Sequence, residues 1–217
     1  MMDLKLTPRG KILKILCLGA HSDDIEIGCG GTVLELIKSH RQAAFDWVVF
    51  SAPGRRKREA QEGASAFLSK AAKKAVVLKE FRDGFFPYVG GEIKEFFEQL
   101  KPEIDPDLIL THSRADLHQD HRLISELTYN TFRDHLILEY EVPKYDGDFG
   151  APNAYVPISR AIGDEKIRLI LKCFRSQAGN QWFSRETFQA VMRLRAIEAN
   201  AASGYAEAFT GRKLVLS

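Results

Sequence analysis

The chain of 217 residues is 45% hydrophobic and 28% charged, with 16 glycines and 8 prolines, a composition that excludes the disordered, collagen-like and low-complexity classes. Its length predicts one domain, 1–217, with an α/β core over 1–135 and a C-terminal part, 136–217, that shapes a pocket. Lys and Arg number 31 against 29 Asp and Glu, a net charge of +2, and the cations are scattered apart from Arg55-Arg56-Lys57-Arg58, so nucleic acid is not an expected partner.

Short aliphatic runs alternate with longer amphipathic ones, the pattern of a mostly parallel sheet with crossover helices, a Rossmann-like αβα sandwich. A first strand is predicted over 12–19, a helix over 32–40 and a second strand over 45–50. A helix over 56–74 and a strand over 75–78 follow, then a helix over 92–101 and a fourth strand over 108–110. Beyond 135 the alternation weakens: strands are expected over 136–142 and 155–158, flanking a Pro/Gly-rich lid or rim at 143–153. Helices are expected over 164–174 and 184–202, with Asp164 and Ser184 as N-caps.

Cys17, Cys29 and Cys173 form an odd, widely spaced set without a C-x-x-C pair, which fits neither a disulfide framework nor a cysteine zinc site and suits a reducing cytoplasm. No N-terminal signal pattern and no apolar run near the roughly 20 residues of a bilayer span is expected.

In a parallel α/β sheet the ligand site lies beyond the carboxyl ends of the strands. The first predicted strand runs into His21-Ser22-Asp23-Asp24, the fourth into His112 through Asp116 to His118-Gln119-Asp120-His121, and four of the six histidines fall here. Two imidazoles and one carboxylate with an open fourth position suit a catalytic zinc, and His21, Asp24 and His121 can supply them. Asp23 is then free to act as a base toward water. If a helix begins near Leu117, His118 shares a face with His121 and sits beside the metal, where it can stabilise an oxyanion or protonate a leaving amine. Asp120 is available to orient an imidazole.

Gly28-Cys29-Gly30-Gly31 is a degenerate match to a dinucleotide loop, lacks the G-x-G-x-x-G spacing and follows an acidic turn. It is read as a strand-to-helix turn. His40 and His135 are expected at the surface, and Cys29 is expected to pack. The basic run at 55–58 reads as a solvated face, although it follows the second strand directly and can meet an anionic substrate.

At these two segments the sequence resembles the LmbE-like, or PIG-L, family of zinc-dependent de-N-acetylases. The A-H-P-D-D motif corresponds to Ala20-His21-Ser22-Asp23-Asp24, and H-x-D-H to His118-Gln119-Asp120-His121. Gly28 to Thr32, Arg56-x-x-Glu59, Asp83-Gly84 and 106–112 also match. The resemblance implies a hydrolase that removes acetyl from an N-acetylglucosamine-like amino sugar or glycoconjugate. It implies Zn²⁺ on His21, Asp24 and His121, Asp23 as general base and His118 as electrostatic or acid partner. Arg56 and Asp116 are the candidate substrate contacts, and Asp120 is grouped with the catalytic residues. Ser22 and Gln119 stand where the family usually has proline, which loosens the backbone around two motif histidines. Fe²⁺ in place of zinc, the identity of the substrate and homo-oligomerisation stay open at this point. Two rivals also stand: a non-catalytic metal- or sugar-binding module, and a dinucleotide-dependent oxidoreductase built on the glycine turn.

Overall fold

A computed structural model describes residues 4–215. Seven strands form one sheet in the order β3-β2-β1-β4-β5-β7-β6. In chain order the strands are β1 (Lys14–His21), β2 (Ala44–Ser51), β3 (Lys73–Leu78), β4 (Leu108–His112), β5 (Leu136–Tyr140), β6 (Ala154–Ile158) and β7 (Tyr205–Gly211). The helices are α1 (Asp24–Ser39), α2 (Arg55–Phe67), α3 (Gly90–Leu100), α4 (Gln119–Thr131), α5 (Arg160–Cys173) and α6 (Arg185–Glu198).

The five strands from β3 to β5 pair in parallel, while β7 runs antiparallel to both β5 and β6. β1 and β4 are buried along nearly their whole length, as strands covered by helices on both faces must be. One core packs Ile15, Cys17, Phe45, Trp47, Phe67 and Phe174 under α1, α2 and α5; the other packs Leu16, Leu18, Phe50, Phe97 and Ile124 under α3 and α4. The chain leaves β1 toward β2 and returns to place β4 on the other side of β1, so the strand order reverses there. That reversal opens a crevice at the carboxyl ends of β1 and β4.

Several boundaries differ from the sequence expectation. Helix α1 starts at Asp24, not at Thr32, so the acidic motif forms its first turn and the glycines lie inside the helix rather than in a turn before it. The helix accommodates them by a kink at Cys29 (φ −140°), past which Glu207 of β7 accepts from the N–H groups of Gly31 and Thr32 at 2.8 and 2.6 Å. Gly28 is required by close approach: a Cβ there would lie 2.2 Å from the Tyr140 ring. This packing removes the open loop that a pyrophosphate needs.

Strand β7 carries no clear alternation with polar residues and is not among the expected strands; its first five residues are all buried. Helix α2 ends at Phe67, earlier than 74, and β3 begins at Lys73. Helix α5 is capped by Ser159, whose side chain accepts from Ile162 N–H, and not by Asp164; Ser184 caps α6 as expected. His40 and His135 are half-buried rather than free at the surface, and His135 Nε2 lies 3.2 Å from Asp105. Among the described residues no helix is long and apolar enough to cross a membrane.

Candidate metal centre

β1 delivers His21 at its last residue, and the immediate start of α1 places Asp23 at the N-cap and Asp24 in the first turn. β4 ends at His112, and the loop behind it carries Asp116 to the N-cap of α4, His118. His21, Asp24, His112 and His121 meet at the strand reversal, each less than a tenth exposed.

Overlapping subsets of this cluster could hold a cation: His21, His118 and His121; His21, Asp83, His118 and Asp120; and Asp24, His112 and His121. Lone pairs decide between them. His118 Nδ1 accepts Asp120 N–H at 3.2 Å, which leaves the proton on Nε2 and no lone pair there for a metal. The Asp120 carboxylate accepts Gly84 N–H at 2.6 Å and Phe86 N–H at 3.1 Å. His112 Nε2 accepts Ala20 N–H at 2.9 Å, so it has no proton to offer Asp24 Oδ2, 3.2 Å away.

Three donors remain. His21 Nε2 faces Asp83 at 3.1 Å and Asp120 at 3.2 Å, which fixes its proton on that nitrogen and frees Nδ1. His121 Nδ1 faces Asp116 Oδ2 at 2.9 Å, which frees Nε2. His21 Nδ1, His121 Nε2 and Asp24 Oδ2 lie 3.1, 3.3 and 3.5 Å apart in pairs. Ligands at the usual zinc distance of about 2.0–2.1 Å around a tetrahedron are separated by about 3.3 Å, so this set fits such an ion and leaves a fourth corner.

Asp23 stands beside that set. Its Oδ1 lies 2.5 Å from an Arg56 guanidinium nitrogen, while Oδ2 is buried with no hydrogen-bond partner. Burial raises the Asp23 pKa, Arg56 opposing and the Asp24 charge adding to the rise. Burial would also raise Asp24, but the surrounding His121, His112 and His21 hold it well below the usual carboxylate range. Burial, reinforced by the neighbouring His121 and His21, lowers His118 and keeps it neutral with Nε2–H as a donor.

The two positions without the family's proline are tied in another way. Ser22 Oγ donates to Ser51 O at 3.3 Å at the end of β2, and the Gln119 amide donates to Gly84 O. Arg56 reaches the site through Asp23. Asp116, expected at the substrate, is 3% exposed, with Oδ1 accepting His118 N–H and Oδ2 facing His121 and Lys144. It holds the His121 ring, while Asp120 holds that of His21. Sequence reasoning did not single out His112, Asp83 or Lys144 as individual site residues. The match at Asp83-Gly84 was the signal available for one, and the end of the predicted fourth strand for another; Lys144 comes from a rim loop that carries no motif.

A family model described as GlcNAc-PI de-N-acetylase, PIG-L, matches residues 16–132. The chain belongs to the PIG-L family. A conserved protein named TT1542 from Thermus thermophilus has the same fold at a TM-score of 0.72 and 21% identity, over 94% of this chain and 97% of that one. An N,N'-diacetylchitobiose deacetylase from Pyrococcus horikoshii matches at 0.69 and 20% identity, over 92% and 83%. GalB, a 4-carboxy-2-hydroxymuconate hydratase from Pseudomonas putida, matches at 0.71 and 17%, over 94% and 98%. No curated protein is significantly similar in sequence. At these identities the neighbours establish the LmbE-like α/β architecture, and the hydratase among them means that the chemistry has to be argued from the PIG-L site itself.

His112 yields an expectation about the metal-free chain. Burial, with the like charge of His121 adding to it, lowers its pKa from 6.5 to about 4. Between those values the unfolded chain takes up a proton that the folded chain refuses, so this stabilisation is complete above pH 6.5 and is lost as pH falls toward 4. The loss is about 3 kcal/mol for one group. Urea denaturation at pH 7 and pH 4 checks it: His112→Gln should flatten that part of the slope, and an equal slope in the variant would refute the assignment.

Proposed function

We propose that the chain is a metal-dependent N-deacetylase that hydrolyses the acetamide of an N-acetylglucosamine-like amino sugar or glycoconjugate to acetate and an amine. The observation that carries this reading is the convergence of two free imidazole nitrogens and an Asp24 oxygen, which accepts His21 N–H and keeps a second lone pair, next to a buried Asp23 oxygen without a partner. Zn²⁺, or Fe²⁺ in its place, on His21, Asp24 and His121 would supply Lewis acidity toward the acetyl carbonyl and toward an attacking water.

The chain's own groups do the rest. Asp23 Oδ2 accepts the proton of the attacking water, while Arg56 holds Oδ1 and so fixes the carboxylate in place. His118 donates a hydrogen bond from Nε2–H to the developing oxyanion and keeps its proton, and Asp23 passes the proton it took from water to the leaving nitrogen, which restores the carboxylate. Asp120 holds His21 and Asp116 holds His121, so neither imidazole has to reorient during the reaction.

The description of the family and the chitobiose deacetylase neighbour support an acetamido sugar as the reacting part. The loops that follow β3, β4 and β5 also present Phe85, Leu117, Tyr145 and Phe149 to solvent, which supports a conjugate with an apolar portion over a bare sugar.

Acetate release from N-acetylglucosamine and from its alkyl and aryl glycosides is the test. The expected result is release that stops on chelation, returns with zinc or ferrous iron, and is faster with the glycosides. A metal-loaded chain that releases acetate from none of them would overturn the reading in favour of a binding module.

A further inference from the structure

The rim loop 143–150, which follows β5, reaches the metal centre through a single side chain. Lys144 Nζ lies 3.0 Å from Asp116 Oδ2, the same oxygen that faces His121 Nδ1 at 2.9 Å. It also lies 2.5 Å from Asp148 Oδ2, which in turn accepts Leu117 N–H at 2.8 Å, one residue before His118. The Lys144 side chain is 12% exposed and that of Asp116 only 3%, so the pair is largely screened from water.

We propose that Lys144 is a positioning residue for His121, and that it couples metal binding to the order of loop 143–150. The proposal rests on the metal-dependent reading above. One Asp116 oxygen serves both an imidazole N–H and an ammonium. The ammonium anchors the carboxylate at the position that keeps the His121 proton on Nδ1 and turns Nε2 toward His21 and Asp24. Four carboxylates, Asp24, Asp83, Asp116 and Asp120, crowd the two ligating imidazoles, and Lys144 is the cation that answers them from the His121 side. The coupling is reciprocal: an ion that fixes His121 also fixes Asp116 and, through Lys144 and Asp148, the loop and its link to Leu117.

Zinc affinity, measured by chelator competition at constant pH, tests the proposal in Lys144→Met, which keeps the aliphatic stem and removes the charge. Carboxylates that orient ligating histidines are worth about 10–100-fold in metal affinity, and Lys144→Met should lose about tenfold through its effect on one. Lys144→Arg should recover most of that loss, and Asp146→Asn, at an exposed position of the same loop, should bind as the wild type does. Zinc should slow amide exchange over 143–150 in the wild type and not in Lys144→Met. Wild-type affinity in Lys144→Met would overturn the proposal, as would an equal loss in Asp146→Asn. A wild-type chain that takes up neither zinc nor ferrous iron would overturn the metal-dependent reading, and this proposal with it.

Discussion

Asp23→Asn should retain its metal and lose about 10²–10⁴ in turnover, the range expected when a general base is removed. The substitution preserves shape: the amide oxygen can still accept from Arg56, and none of the three donor atoms His21 Nδ1, Asp24 Oδ2 and His121 Nε2 is touched. What disappears is the capacity of the buried, unpartnered Oδ2 to take a proton. Burial has already raised the Asp23 pKa, so the carboxylate is a better proton acceptor than a solvated one, and the Arg56 charge opposes that rise. The loss should fall on kcat rather than KM, because the interaction develops in the transition state. Metal content by elemental analysis, taken with steady-state kinetics on a glycoside that the wild type deacetylates, checks both halves. Undiminished turnover in a metal-loaded variant would remove Asp23 from the mechanism.

The parallel half of the sheet and the convergence of the two histidine segments were legible because each depends on local signals. Aliphatic runs mark the buried strands, and strand ends mark the crevice. The start of α1 was not legible in the same way. Asp24 to Gly31 reads as turn chemistry by residue type, yet Ile25 and Ile27 lie in the core, and contacts with Tyr140 and Phe67 make glycines necessary within a helix. Strand β7 escaped for the opposite reason: Glu207 sits among buried residues where a charge argues against burial, and partners distant in the chain, Lys166 at 2.6 Å with the N–H groups of Gly31 and Thr32, make it tolerable. The roles of Asp116 and Asp120 relative to the two imidazoles depend on which oxygen meets which ring nitrogen. Both aspartates share a loop-to-helix segment with the histidines, so spacing alone ranks them equally.

His121→Ala should abolish stoichiometric metal binding and, with it, deacetylation. The reason to test this residue beside His21→Ala is that the two variants separate the ways in which the cluster could hold an ion. Binding by His21, Asp24 and His121 requires both variants to lose the metal, as would binding by His21, His118 and His121, which the hydrogen bond to His118 Nδ1 argues against. Binding by His21, Asp83, His118 and Asp120 would survive His121→Ala, and binding by Asp24, His112 and His121 would survive His21→Ala. The hydrogen bonds argue for the first outcome, since the single lone pairs of His118 Nδ1 and His112 Nε2 are already engaged by backbone N–H groups, whereas Asp24 Oδ2, which accepts His21 N–H, keeps a second lone pair for an ion. Loss of a ligand should exceed the about 10–100-fold that removal of an orienting carboxylate brings. Circular dichroism of the metal-free variants separates metal loss from unfolding, which matters because His121 is nearly fully buried and its removal takes one of the two partners of Asp116 Oδ2, leaving Lys144 there. A folded His121→Ala chain with one zinc per molecule would move the ion toward Asp83 and Asp120, and Asp23 could then no longer be argued as the base from its place beside the His21–Asp24–His121 set.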